Sequence, residues 1–211
     1  MFRRYRLNIF MILLLGVTRL DAASSSDEII RALELTPNIE NGKKIYPLCA
    51  SCHHDNGWGR ADGSFPVIAG QHRRVLIKQL ADIRSKLREN PVMFPFSDPA
   101  TIGGVQAVSD LAAYIAVLPG DPTPGKGSGL QLDVGKKIFQ DKCSQCHGEQ
   151  AQGNDESFIP RLKGQHYSYL LRQIQGISNG YRKNSNPAMV ILVKTLTVQE
   201  IEAVADYVSR Q

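Results

Sequence analysis

Cys49-Ala50-Ser51-Cys52-His53 and Cys143-Ser144-Gln145-Cys146-His147 use every cysteine of this 211-residue chain. A Cys-x-x-Cys-His run is the attachment site of a c-type haem: the spacing lets both thiols reach the two vinyl groups of one porphyrin, and the next histidine turns beneath the iron. Two runs predict two covalently bound haem c groups, held through Cys49 and Cys52 and through Cys143 and Cys146. Other uses of four cysteines compete with this reading. An even count in an exported chain suits disulfides, two Cys-x-x-Cys knuckles suit a zinc ribbon, and a lone pair suits a redox dithiol. Here the runs lie 94 residues apart, wider than ribbon knuckles, and none of the alternatives explains a histidine after each pair. No disulfide is expected.

The chain is written twice. Gly42-Lys43-Lys44-Ile45-Tyr46 returns as Gly135-Lys136-Lys137-Ile138-Phe139, and Gly70-Gln71-His72 returns as Gly164-Gln165-His166. Asn90-Pro91-Val92-Met93 returns as Asn186-Pro187-Ala188-Met189, and Tyr114-Ile115 returns as Tyr207-Val208. Repetition at a nearly constant offset means two copies of one domain. The expected division is a leader at 1–23, a first domain at 25–118, a Pro/Gly-rich linker at 119–130 and a second domain at 131–211. Proline should stiffen part of the linker and glycine loosen the rest. Domains of this size have marginal peptide cores, which a porphyrin can complete.

The fold class reads as all-α. A leading helix is expected over about 39–51 and 133–145, and a last helix over about 104–118 and 198–209. Between them, Val75, Leu76, Gln79, Leu80, Ile83 and Leu87 share one helical face, echoed by Tyr169, Leu170, Gln173 and Ile174. Thr197-Val198-Gln199-Glu200 is a capping-box pattern. No sustained alternation predicts a strand.

Residues 1–23 read as an export signal: Arg3, Arg4 and Arg6, an apolar run over 7–17, then Ala22, Ala23 and Ser24. The approach to the cut is untidy, so an uncleaved membrane anchor stays open beside a cleaved signal. Without Arg3, Arg4, Arg6, Arg19 and Asp21 the net charge of +5 falls to +2. The haem propionates would bring it close to zero, which does not suggest a nucleic-acid partner. Lys136, Lys137 and Lys142 gather before the second motif, either as a solvated helix face or as a docking surface for an acidic partner.

His53 and His147 are the expected proximal iron ligands, by adjacency to the attached cysteines. His54 lies one residue too far, and Gly148 stands at its matched place. The backbone carbonyls of Pro66 and Pro160, each thirteen residues beyond its histidine, are candidate acceptors for the second ring nitrogen; a loop-shaping proline is the alternative. For the sixth position, Met93 and Met189 are the only methionines outside the expected leader, and they stand at matched places. The rival pair is His72 and His166, also matched, which could instead cap a helix or contact a propionate. Trp58, the only tryptophan, could pack on the first porphyrin edge or simply in the core.

Taken together, two Cys-x-x-Cys-His domains, each followed by Pro-x-x-x-Gly-Gln-His and Asn-Pro-x-Met, resemble the dihaem cytochrome c4 family, built from two tandem class I cytochrome c domains. The resemblance implies domains related by an approximate two-fold axis, with their haems close enough to exchange electrons. It also implies a periplasmic one-electron carrier, in some members membrane-associated, taking electrons from a quinol-oxidising complex toward a terminal oxidase, with redox proteins as partners and no small-molecule substrate. Pro47, inside the expected leading helix, departs from the pattern and should kink it. Two other classes remain: a dihaem cytochrome c peroxidase-like enzyme, which needs one iron open to peroxide, and a haem c subunit bound permanently to a dehydrogenase.

Overall fold

The computed structural model describes residues 25–211, so the expected leader lies outside the described residues. The chain is helical, with one isolated antiparallel bridge, Asn154–Ile159, among the described residues. The first half runs through α1 (Ser25–Glu34), α2 (Ile39–Ile45), α3 (Pro47–His53), α4 (Arg73–Arg84), a 3-10 turn (Phe94–Phe96), α5 (Pro99–Ile102) and α6 (Val105–Val117). The second runs through α7 (Leu132–Ile138), a π turn (Phe139–Cys143), α8 (Ser144–His147), α9 (Tyr167–Ser178), α10 (Pro187–Val193) and α11 (Val198–Val208). No helix among the described residues is long and apolar enough to cross a membrane.

The two long leading helices expected from the pattern are each broken. Pro47 has no N–H to continue α2, so it becomes the first residue of α3, the helix position that tolerates it. The second copy has no proline there, and its backbone instead widens into the π turn before α8. Both breaks fall within the few residues before the cysteine pair of each motif.

In each half the leading and closing helices cross so closely that only glycine fits. A Cβ on Gly42 would stand 2.2 Å from the Asp110 carbonyl oxygen, and one on Gly135 would stand 2.0 Å from that of Ala203. Four residues on, an aromatic ring meets the tyrosine of the closing helix: Tyr46 on Tyr114 at 5.2 Å and Phe139 on Tyr207 at 5.7 Å between ring centres. The repeated Gly-Lys-Lys-Ile-aromatic and Tyr motifs are thus the two faces of one crossing. Around it, Ile77, Val108 and Leu111 form the first core, and Phe139, Leu170 and Val204 belong to the second.

Three local features depart from the sequence pattern. Leu87 is 53% exposed, because α4 stops at Arg84 and Lys86 turns the chain with a positive φ. Helix α1 was not expected; it is held by an ion pair from the buried Glu28 to the half-buried Arg84 and by Arg73, whose guanidinium donates to the Ala32 and Leu35 carbonyls and to Ser109. The glycine-rich linker is pinned rather than loose: Gly127 and Gly129 donate to the Asp206 carboxylate, and Gly125 exchanges bonds with His166 and Tyr167. The capping box at Thr197 and Glu200 forms as expected.

Gly135→Ala should destabilise the holoprotein by at least about 2 kcal/mol, the scale of an overpacked core. Gly176→Ala, whose Cβ would meet nothing nearer than 3.7 Å, should instead be neutral or stabilise α9 by about 0.5–1 kcal/mol. Denaturant midpoints followed by far-ultraviolet circular dichroism check both; the reverse order would contradict the crossing.

Candidate functional site

Helices α3 and α8 end on the two motif histidines. The next residue in each copy is left-handed, His54 at φ 63° and Gly148 at φ 78°, so the backbone turns away and leaves the imidazole behind. Both rings are buried, His53 at 5% and His147 at 8% exposure. Each Nδ1 sits on the expected proline carbonyl, His53 on Pro66 at 2.9 Å and His147 on Pro160 at 3.2 Å. A carbonyl only accepts, so Nδ1 carries the proton and Nε2 keeps its lone pair. Burial holds both imidazoles below the usual histidine range, which leaves them neutral and able to donate to a metal.

Glycine makes this arrangement possible. Gly59 and Gly153 have positive φ and donate to the carbonyls of His53 and His147 at 3.0 and 2.8 Å. A Cβ on either would run into the same proline carbonyl, 2.5 Å from that of Pro66 and 2.6 Å from that of Pro160. The loop therefore closes on its histidine only if this position has no side chain.

None of the four cysteines is paired in a disulfide. Burial, then the neighbouring Cys52, pushes Cys49 up to about 11, and burial likewise pushes Cys143 up to about 11. A thiol raised in this way is unlike the activated cysteine of a redox dithiol, which is held low. Two thiols on one helical turn beside a neutral, carbonyl-anchored histidine suit the attachment of haem c.

Met93 and Met189 are both half-buried but lie in different local structure. Asn186 caps α10 by accepting from Ala188, with Pro187 as first helical residue and Met189 in the first turn. In the first copy Asn90 accepts from the Met93 N–H at 3.2 Å, and the chain passes into the 3-10 turn instead.

The rival histidines are engaged elsewhere. His72 Nε2 bonds the Gln152 carbonyl at 2.8 Å, and His166 Nε2 bonds the Trp58 carbonyl at 2.7 Å, each reaching into the other half. His166 Nδ1 also accepts from the Gly125 N–H, so both of its ring nitrogens are used. The glutamines beside them do the same: Gln71 spans the backbone of Arg161, and Gln165 spans that of Val67. Gly-Gln-His is an interdomain clasp, a role the sequence pattern marked by repetition without revealing.

A second layer of reciprocal contacts lies on α4 and α9. Arg88 bonds Gln79 and Gln173, and Arg182 bonds Gln173 and Gln79. Burial and then the Arg88 charge push Arg182 down to about 10; burial alone would raise Tyr169, but Arg88, Arg182 and Arg172 bring it below the usual phenol range. Such pairwise exchange of matched residues is what an approximate two-fold relation produces. Trp58 takes part as well, its indole N–H donating to the Pro119 carbonyl at 2.8 Å.

Known proteins share this layout. A family model described as cytochrome c matches residues 39–119 and again 132–211. A cytochrome c4 of Stutzerimonas stutzeri is 31% identical over 193 residues, covering 81% of this chain and 88% of that protein. A thiosulfate dehydrogenase electron acceptor of Stutzerimonas stutzeri (strain A1501) is 31% identical over 197 residues, covering 83% and 88%. The crystal structure of reduced recombinant cytochrome c4 from Pseudomonas stutzeri matches with a TM-score of 0.73 at 29% identity, over 82% of this chain and 98% of that one.

Mass spectrometry of the protein isolated from a host able to attach haem c should show the added mass of two haems. Cys52→Ala and Cys146→Ala should each weaken attachment at one site alone. The unmodified mass in the wild type would contradict the site.

Proposed function

This chain belongs to the cytochrome c4 family of tandem cytochrome c proteins, and from that membership we propose that it is a periplasmic dihaem carrier of single electrons. Cys49 and Cys52 tether one haem c, with His53 and Met93 as axial ligands; Cys143 and Cys146 tether the other, with His147 and Met189. The two units are residues 25–118 and 131–211, joined by 119–130, behind an export signal at 1–23. When bound, haem supplies a ferric/ferrous couple. The chain's part is to hold each imidazole neutral and oriented, to fill the sixth position with a soft thioether that favours ferrous iron, and so to leave no room for a substrate.

One observation carries the ligand assignment. His72 and His166, the matched rivals for the sixth position, are committed to carbonyls across the domain interface, which leaves the matched Met93 and Met189 as the remaining donors of the repeat.

On this reading the partners are redox proteins, a quinol-oxidising complex as donor and a terminal oxidase as acceptor. The second half offers the docking surface: Lys136 and Lys142 are exposed beside its motif, while Lys137 pairs with Asp141. Ile191, 70% exposed, adds apolar area on the same half. A dehydrogenase is a second donor class, favoured by the likeness to a thiosulfate dehydrogenase electron acceptor.

Met93→Ala and Met189→Ala should each convert one of the two low-spin centres to high spin and lower its potential while the covalent haem stays in place. Unchanged spectra in either variant would overturn that ligand. Association with an acidic redox partner, followed by stopped flow, should slow steeply as salt rises, and more weakly in Lys136→Ala/Lys142→Ala; a flat dependence would remove the lysine surface.

A further inference from the structure

The carbonyl that anchors each motif histidine belongs to a peptide group whose other end is bonded by the opposite domain. Pro66 C=O and Val67 N–H are the two ends of one planar amide. His53 Nδ1 bonds the oxygen at 2.9 Å, and the Val67 N–H donates to Gln165 Oε1 at 3.0 Å. The same amide of Gln165 donates back from Nε2 to the Val67 carbonyl at 2.8 Å. The second site repeats this with the domains exchanged: His147 Nδ1 bonds the Pro160 oxygen, the Arg161 N–H donates to Gln71 Oε1 at 2.9 Å, and Gln71 Nε2 donates to the Arg161 carbonyl at 2.9 Å.

Each glutamine amide has a fixed orientation, because its Oε1 also accepts the N–H of the following histidine, His72 or His166, at 3.0 Å. Accepting at the N–H end of a peptide group polarises it and makes its oxygen a better acceptor. A better acceptor on Nδ1–H gives the imidazole more anionic character, strengthens its donation to iron and favours the ferric state.

We propose that Gln165 and Gln71 are positioning residues that act across the domain interface: Gln165 tunes the first haem site through the Pro66–Val67 peptide, and Gln71 tunes the second through the Pro160–Arg161 peptide. Each domain therefore sets the potential of its neighbour's centre, not its own. The relay into the first site is the tighter one. His53, Val67 and Gln165 are all buried and the histidine bond is 2.9 Å, whereas Gln71 is half-buried and the matching bond is 3.2 Å. The effect of Gln165 should be the larger.

This inference rests on the dihaem reading above. Its test is a potentiometric titration of the holoprotein carrying Gln165→Leu or Gln71→Leu, with waves assigned to sites by the Met93→Ala and Met189→Ala variants. Gln165→Leu should shift the ferric/ferrous equilibrium of the first site roughly threefold toward ferrous, about 30 mV upward at 59 mV per tenfold, and leave the second nearly unmoved. Gln71→Leu should do the reverse, by less. In the ferrous protein the Nδ1–H proton resonance of His53 should move upfield in Gln165→Leu while that of His147 stays. If a leucine variant fails to hold both haems, Gln165→Asn and Gln71→Asn, whose shortened amides fall short of the peptide, give the same readouts. A shift confined to the mutated domain, an equal shift of both sites, or no shift would overturn the proposal. A wild type without two low-spin waves would instead remove the function on which it stands.

Discussion

The hydrogen bond from each motif histidine to a proline carbonyl thirteen residues ahead organises the rest of the molecule. It requires the helix to end on the histidine, which the left-handed His54 and Gly148 arrange. It requires the loop to fold back without a side chain at its closest approach, which explains Gly59 and Gly153. It also fixes the tautomer, so that a neutral ring offers Nε2 and not Nδ1. Because the acceptor peptide continues into a residue clasped by the other domain, the same bond joins the local site to the architecture.

Duplication produces the interface, and small departures from it make the halves unequal. A two-fold relation lets one motif serve twice: Gln71 and Gln165 exchange backbones, as do the side chains of Arg88 and Arg182 with the glutamines of α4 and α9. Buried amide-to-backbone bonds are costly to leave unmade, so the docked arrangement is strongly specified even where its net stabilisation is modest. The inequalities are local. Only the first half carries α1 with its Glu28–Arg84 pair, only the first has Pro47, and only the second places its methionine in a helix.

Features legible in the sequence were those set by local chemistry or made plain by repetition. The two haem motifs, the capping box at Thr197 and the all-helical class follow from spacing and pattern, whereas the spacing of Pro66 and Pro160 left a histidine acceptor and a loop-shaping proline equally open until the geometry decided for the acceptor. The break ahead of Cys49 was visible in Pro47, but its counterpart ahead of Cys143 was not, since a π turn has no residue signature. Helix α1 was missed because its decisive bonds come from Arg73 and Arg84, distant in the chain; Asp27 and Glu28 in its first turn and the spacing of Ile29, Ala32 and Leu33 were the available signal. Gly-Gln-His stood out as a repeat, yet its partners are backbone groups of the other half, which carry no residue code. Trp58 likewise spends its indole N–H on the linker, a contact no composition argument anticipates.

The proposed ligand set would serve electron transfer because little would have to move: the imidazole is locked from behind by its proline carbonyl, a thioether would fill the remaining position, and the two halves are clasped to one another. The measurement closest to that claim is an optically monitored potentiometric titration of the wild-type holoprotein. Two low-spin, one-electron waves at positive potential are predicted. A strongly negative or high-spin centre would contradict paired histidine–methionine sites and turn attention to an iron open to peroxide.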